Sequence, residues 1–380
     1  MKSKTLRSIA FSLHRYIGLA VGLILIIVGV TGSLLVFQKE FDQYLLQRQF
    51  GQITPQPQRV AIEPVVNTVK AAYSDRPQLK LASINTLPHN PTYRVRLRTE
   101  DDKTTDVYVN PYTGEILGDR NWDNTFIGII FKLHYALLAD DIGITIVGIA
   151  ALLLLILSIT GIFLWPGWRK LISGFKIKWQ AHPKRVNYDI HKVAGIITAV
   201  FLALIAFTGF CWNFYDYAVP TIYALTFTPY SPDPVSQIVA GKPPLGLTEI
   251  LKTADVALPN AETTFINLPR KPEDAFIIYK KHPQELNEYG DSSVYLDQYS
   301  GKILKLIDGQ NLPLAERVLS SFTPLHYGTF WGLPSRILYV LVGLAPLILF
   351  VTGFVMWRYR YRGKKIANPI DAVKEPAQRL

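Results

Sequence analysis

The chain has 380 residues, 49% hydrophobic and 18% charged, with a formal net charge of +11 and one cysteine, Cys211. A single cysteine excludes intramolecular disulfides, Cys-ligated iron–sulfur clusters, zinc knuckles and the Cys-x-x-Cys-His attachment of c-type haem. The cations gather beside apolar runs, which reads as membrane topology and gives no nucleic-acid signal.

In chain order, the first apolar run lies at about 12–37, behind Lys2, Lys4 and Arg7. It is longer than the apolar part of a signal peptide and no small-x-small site closes it, so residues 1–40 are expected to hold a retained anchor helix. Residues 41–125 read as a soluble α+β module. A Pro-rich link at 54–57 leads to a helical pattern at about 62–74. Alternation then follows in Tyr93-Arg94-Val95-Arg96-Leu97, and 107–117 reads Val-Tyr-Val-Asn-Pro-Tyr-Thr-Gly-Glu-Ile-Leu, a strand, a glycine turn and a strand. The second apolar run, about 142–165, sits in a segment 126–168 that begins at the membrane interface. A basic loop at 169–190 leads to the third run, about 191–214, within 191–216. Residues 217–320 repeat the module, with a Pro-rich link at 229–234, a helical pattern at 247–257 and a strand Phe276-Ile277-Ile278-Tyr279. Its 294–304 stretch, Val-Tyr-Leu-Asp-Gln-Tyr-Ser-Gly-Lys-Ile-Leu, matches 107–117. The fourth run, about 336–357, lies within 321–358, and 359–380 is a basic tail.

Each run reaches the roughly 20 apolar residues that a bilayer crossing needs and is hydrophobic on all faces. Residues 1–15 carry four Lys/Arg and no acid, 166–192 carry seven and only Asp189, and 358–380 carry seven against two acids. These segments are expected in the cytoplasm, with both termini inside and both modules outside. Trp165, Trp168, Trp212, Trp331 and Trp357, near span ends, are expected as interfacial belts. The fold class is therefore membrane α-helical: four transmembrane helices in a twofold internal repeat, with two periplasmic α+β modules.

The chemistry-bearing pattern is histidine. His14, His134, His191 and His326 each precede or open an apolar run, and each run ends in a Thr-Gly pair: Thr31-Gly32, Thr160-Gly161, Thr208-Gly209 and Thr352-Gly353. The spacing is 17 residues from His14 to Thr31 and from His191 to Thr208, and 26 from His134 to Thr160 and from His326 to Thr352. Seventeen residues rise about 26 Å, close to one hydrocarbon thickness. Depth then pairs His14 with His191 near the cytoplasmic face and His134 with His326 near the periplasmic face. Paired imidazoles inside a membrane are what a b-type haem needs, so two haem b groups are expected, with these four histidines on the iron. His134 and His326 are expected on short interfacial helices or in breaks before their spans.

Helix glycines let a flat macrocycle approach the backbone. Gly18 and Gly195 lie four residues after His14 and His191, on the same faces, and Gly32, Gly161, Gly209 and Gly353 lie at the depth of the opposite histidines. Packing between helices is the other reading of these small residues. A helix N-terminus at each histidine would favour neutral imidazole. Arg15 and Lys192, directly after the inner histidines, are expected to pair with haem propionates or lipid phosphates. Proton relay and divalent-metal binding remain open, but the spans hold almost no carboxylate or thiolate for the latter. His89, His182 and His282 match nothing in the repeat and read as surface histidines.

The Leu-His-Arg-Tyr-Ile-Gly start at 13–18, the Leu-His-Tyr at 133–135 and 325–327, the Thr-Gly pairs and the Tyr-x-Gly turns resemble the PepSY-associated transmembrane-helix family over nearly the whole chain. That family includes iron-regulated inner-membrane proteins of Gram-negative bacteria, some of them haem-containing reductases of ferric siderophores. The resemblance implies PepSY-like external modules and a ferric siderophore as acceptor. No dinucleotide fingerprint, P-loop, HExxH or Ser-His-Asp grouping is present, and no cytoplasmic segment is long enough for a flavin or nicotinamide domain. The electron donor is thus expected to be a separate cytoplasmic protein or a quinol, and no catalytic side chain is legible. The rival reading is a non-enzymatic PepSY membrane protein whose modules bind or regulate an envelope peptidase or another partner.

Overall fold

The computed structural model describes residues 2–88, 90–239 and 241–367. His89 and the part of the expected basic tail beyond 367 lie outside the described residues. In chain order the helices are α1 (Lys2–Leu35), α2 (Gln38–Phe50), α3 (Ile62–Ala72), α4 (Phe126–Ala136), α5 (Asp140–Leu164), α6 (Leu171–Phe175), α7 (Pro183–Asn213), α8 (Tyr215–Leu225), α9 (Leu247–Ala257), α10 (Leu314–Tyr327) and α11 (Leu333–Ala367). The strands are β1 (Lys80–Asn85), β2 (Tyr93–Arg98), β3 (Thr104–Val109), β4 (Ile116–Arg120), β5 (Glu262–Asn267), β6 (Phe276–Lys281), β7 (Ser292–Leu296) and β8 (Ile303–Ile307). The chain divides into a helical unit, 1–36, 131–215 and 325–380, and a sheet unit, 37–130 and 216–324.

In the helical unit, α1, α5, α7 and α11 are long and apolar enough to cross a membrane. Each packs on two others: α1 on α5 and α11, and α7 on α5 and α11. Leu23, Ile142, Ile197 and Leu341 project outward and exposed, as a lipid-facing surface requires. With lipid as apolar as leucine, close contact needs small residues and hydrogen bonds. Gly29 and Gly343 supply the first between α1 and α11, where a Cβ on either would collide with the other's carbonyl. Ser33 Oγ donates to the Val340 carbonyl at 2.9 Å, and Asn213 Nδ2 donates to the Ile144 carbonyl at 2.8 Å across α5 and α7. The turn from α4 into α5 runs through Leu137 and Leu138 at φ of 50° and 59°, and the turn from α10 into α11 through Gly328 and Gly332 at 70° and 63°. Leucine takes this left-handed backbone at a cost of about 1–2 kcal/mol per residue, whereas glycine takes it freely.

The sheet unit is not two separate modules. Its eight strands form one antiparallel sheet in the order β4-β3-β2-β1-β5-β6-β7-β8, joined at the centre by β1 and β5. The halves repeat even in their irregularities: a bulge follows Tyr108 in the β3–β4 pair and Tyr295 in the β7–β8 pair. The turns after β3 and β7 carry Gly114 and Gly301 at φ of 75° and 70°. Alternation along β2 puts Tyr93, Val95 and Leu97 into the core and Arg94, Arg96 and Arg98 on the other face. Val65, Val66 and Val69 of α3, with Ile250 and Ala254 of α9, close the core against Val107, Ile266, Ile278 and Val294. Each fully buried valine or isoleucine contributes about 1.5–3 kcal/mol relative to exposure, which is what holds these two short helices to the sheet. On the other face, Arg96 grips the fully buried Asp106 with two hydrogen bonds of 2.7 and 2.8 Å.

Two surface expectations fail. His282 is buried, 3.6 Å from the Asp308 carboxylate, because the chain after β6 folds back on itself: Glu285 accepts from the His282 and Asp291 amides. Trp165 is also buried and belongs to no belt. Gly167 and Gly174 leave the space its indole fills, and Trp168 and Phe175 pack edge-on against it. Trp168 and Trp331 are exposed, while Trp357 stacks between Phe354 and Tyr361.

Candidate functional site: two histidine pairs in the helical unit

The four repeat histidines come together as two pairs. His14 on α1 and His191 on α7 have ring centres 6.2 Å apart and planes at 84°. His134 on α4 and His326 on α10 have ring centres 6.2 Å apart and planes at 75°. Two imidazoles bound on opposite sides of one metal ion at about 2.0–2.1 Å each place their ring centres about 6 Å apart once half a ring is added at each end. Both pairs have that separation. Among the described residues no group of three or more His, Cys, Asp or Glu is placed to hold a metal, so each pair would supply two nitrogen ligands and a bound group would have to bring the rest.

Every imidazole is fixed by a Thr-Gly pair of the opposite span in its own half. His14 Nδ1 lies 2.9 Å from Thr160 Oγ1, and His191 Nδ1 2.8 Å from Thr352 Oγ1. His326 Nδ1 lies 2.7 Å from Thr208 Oγ1. His134 Nδ1 lies 3.2 Å from Thr31 Oγ1 and 2.9 Å from the Val28 carbonyl oxygen. The acceptors around Nδ1 favour one tautomer. Each threonine donates its one proton to the carbonyl four residues earlier, at 2.7 Å for Thr31 and Thr160, 2.9 Å for Thr208 and 2.6 Å for Thr352. Oγ1 can then only accept, so Nδ1 carries the ring proton and Nε2 carries the lone pair.

The glycines do not hold open backbone for a macrocycle, as expected for Gly32, Gly161, Gly209 and Gly353. They receive the imidazoles. A Cβ at these positions would stand 2.9 Å from His134 Cε1, 3.3 Å from His14 Cε1, 3.2 Å from His326 Cε1 and 3.5 Å from His191 Cε1. Gly18 and Gly195 lie elsewhere: a Cβ there would meet Leu157 and Leu349 at 3.8 and 3.6 Å, ordinary contact.

None of the four histidines stands at a helix N-terminus. α1 begins at Lys2 and α7 at Pro183, so His14 and His191 are well inside their helices, and His134 and His326 stand in the last turns of α4 and α10. The hydrogen bond at Nδ1 fixes ring orientation and tautomer; it does not replace the dipole in favouring the neutral ring, since an acceptor there makes Nε2 more basic. His182, read as a plain surface residue, is the N-cap of α7 and accepts from the Lys184 amide at 3.2 Å.

Arg15 and Lys192 differ although both follow an inner histidine. Lys192 is buried. Its Nζ is 2.7 Å from Asp189 Oδ1 and also donates to the carbonyls of Ser173 and Lys176 at 2.9 and 3.1 Å. With Asp189 wholly buried, the lysine is committed and cannot serve a propionate or a lipid phosphate. Arg15 keeps a buried Nε without a hydrogen-bond partner, which suits an anionic group the chain itself does not supply. Near the second pair, Trp212 packs on His326 with ring centres 4.7 Å apart, so it lines this site instead of a belt.

The fold and site define a multi-pass helical membrane protein with two histidine pairs built across an internal repeat. Residues 11–360 match the family described as the PepSY-associated TM region, and the chain belongs to that family. No curated protein matches.

Proposed function

We propose that the protein is a di-haem b-type cytochrome of the bacterial inner membrane that passes electrons across it to ferric siderophores in the periplasm. The observation that carries this reading is the pair of matched imidazole separations, each held by threonine in the tautomer that leaves Nε2 as the ligand. When bound, haem b supplies a one-electron Fe(III)/Fe(II) couple. His14 and His191 would hold one group, His134 and His326 the other. The spans around them would exclude water, and Arg15, whose buried Nε has no partner, would offer a cation to a propionate. The basic segments support a cytoplasmic position for the His14/His191 pair and a periplasmic one for the His134/His326 pair. The donor is a cytoplasmic reductase or a quinol. The acceptor reaction is addition of one electron to chelated Fe(III), giving Fe(II), which the chelator holds less tightly. If the helices served only to anchor a partner-binding module, the four matched His–Thr–Gly groupings would have no use. The test is a dithionite-reduced minus oxidised absorbance spectrum of the purified protein, with haem extracted and counted per chain. Two b-type haems support the reading. None, after expression with ample haem, contradicts it and favours a binding role for the PepSY-like unit.

A further inference from the structure

We propose that Thr31, Thr160, Thr208 and Thr352 are positioning residues that set the ligand strength of the four histidines and thereby hold both haems at low midpoint potential. The inference rests on the haem reading above. A threonine inside a helix commonly bonds its hydroxyl back to the carbonyl four residues earlier, and Thr145 and Thr198 do so here with no histidine attached. The four threonines before the helix glycines do the same and in addition receive a histidine Nδ1–H. The hydroxyl thus sits in a chain from imidazole N–H through Oγ1 to a backbone carbonyl. An acceptor at Nδ1 draws off the ring proton, makes Nε2 more basic and fixes the ring orientation. A more basic ligand nitrogen would favour Fe(III) over Fe(II), so losing the acceptor would raise the potential.

The four positions are not equivalent. At His134 the Val28 carbonyl, at 2.9 Å, is closer to Nδ1 than Thr31 Oγ1 at 3.2 Å. Removal of the Thr31 hydroxyl leaves that N–H with an acceptor already in place. The matching carbonyls of Leu157, Ile205 and Leu349 also face His14, His326 and His191, but there the hydroxyls of Thr160, Thr208 and Thr352, at 2.9, 2.7 and 2.8 Å, make the well-formed hydrogen bond, so the hydroxyl matters most there. A purely space-filling role predicts no such ranking.

The experiment is a redox titration of purified wild type and of the Val and Ser variants of Thr31, Thr160 and Thr208, with haem counted per chain and helicity followed by circular dichroism. Thr160→Val and Thr208→Val should raise the potential of the affected haem by about tenfold in the Fe(II)/Fe(III) ratio, which is 59 mV for one electron, or weaken haem retention by about 10–100-fold. Thr160→Ser and Thr208→Ser should restore both, and Thr31→Val should move them least. Potentials and retention unchanged in the Val variants overturn the proposal. So does equal loss in Val and Ser, which would assign the effect to packing. A haem-free wild type overturns the haem reading itself, whereas a wild type with two haems and unresponsive variants overturns only the role of the threonines.

Discussion

His14 and His191 stand on helices of opposite halves of the repeat, with ring centres 6.2 Å apart and planes at 84°, yet each is held at Nδ1 by a threonine of its own half. Each half therefore pre-positions one ligand for each site, and association of the halves completes both sites. Neither half can form a two-histidine site alone.

The glycines beside the threonines should tolerate a methyl group according to their distance from the ring. Gly32→Ala puts a Cβ 2.9 Å from His134 Cε1, and Gly353→Ala puts one 3.5 Å from His191 Cε1. Overpacking of this kind costs about 1–3 kcal/mol. Haem content of the purified variants should fall at the His134/His326 site for Gly32→Ala and stay at the wild-type level for Gly353→Ala. Equal behaviour would mean that the imidazoles are not seated on these glycines.

Lys192 and Arg15 should separate stability from cofactor binding. Lys192→Met leaves Asp189, whose carboxylate has no exposure, without its nearest cation. Breaking a buried pair costs about 3–5 kcal/mol, and the remaining bonds from Arg185 and the Lys178 amide keep the loss near the lower end. Thermal unfolding in detergent should drop clearly for this variant. Arg15→Gln breaks no ion pair and gives up only ring contacts with Phe11 and Tyr16, so it should lower the melting temperature of the haem-free protein far less than Lys192→Met while weakening haem retention.

Acid should destabilise the sheet unit through Asp297. Burial alone would push its carboxyl up, but the amide of Gln237, the amide and hydroxyl of Ser300 and the amide of Tyr299 outweigh burial and hold it below its ordinary value. Asp308 is lowered as well, first by the Gln310 amide. A depressed carboxylate contributes stability that is complete above the unfolded pKa of about 3.9 and is lost as pH falls through the folded value. The stability difference between wild type and Asp297→Asn, measured by denaturant titration, should be constant from neutral pH down to about 5 and shrink below about 4. Asp297→Ala should lower the plateau by about 1–3 kcal/mol, since it strands buried donors. Asp297→Asn should cost less and flatten the acid branch, because Asn110 does the same job at the matching turn of the first half, accepting from the Tyr112 amide.

Much of this architecture could be read in the residues, for physical reasons. A bilayer demands length and apolarity, so the four spans were plain, and the helical rise translated His–Thr spacing into depth. The strands were plain where one face is buried, as in Tyr93-Arg94-Val95-Arg96-Leu97. What escaped were features set by long-range contact or by where helices begin. The apolar pattern starts at 191, but α7 starts at Pro183, so His191 lies well inside its helix. The turn before α5 uses Leu137 and Leu138 at positive φ, residues that carry no turn signal. The β1–β5 pairing that fuses the two modules joins strands nearly two hundred residues apart. The commitment of Lys192 to Asp189 shows only when α7 is drawn three residues back from it. The Thr-Gly pairs were visible as a pattern, but that they grip imidazoles at Nδ1 and Cε1 required the side chains.

The most direct test of the paired sites counts haem per chain in His14→Ala, His191→Ala and the double variant, beside His134→Ala. If the pairing is right, wild type carries two, and the first three variants each retain one haem with the same spectrum, because either substitution empties the same site and the second removes nothing more. His134→Ala retains one haem with a different spectrum. A wild type without haem, or a double variant that loses more than either single one, would contradict the account.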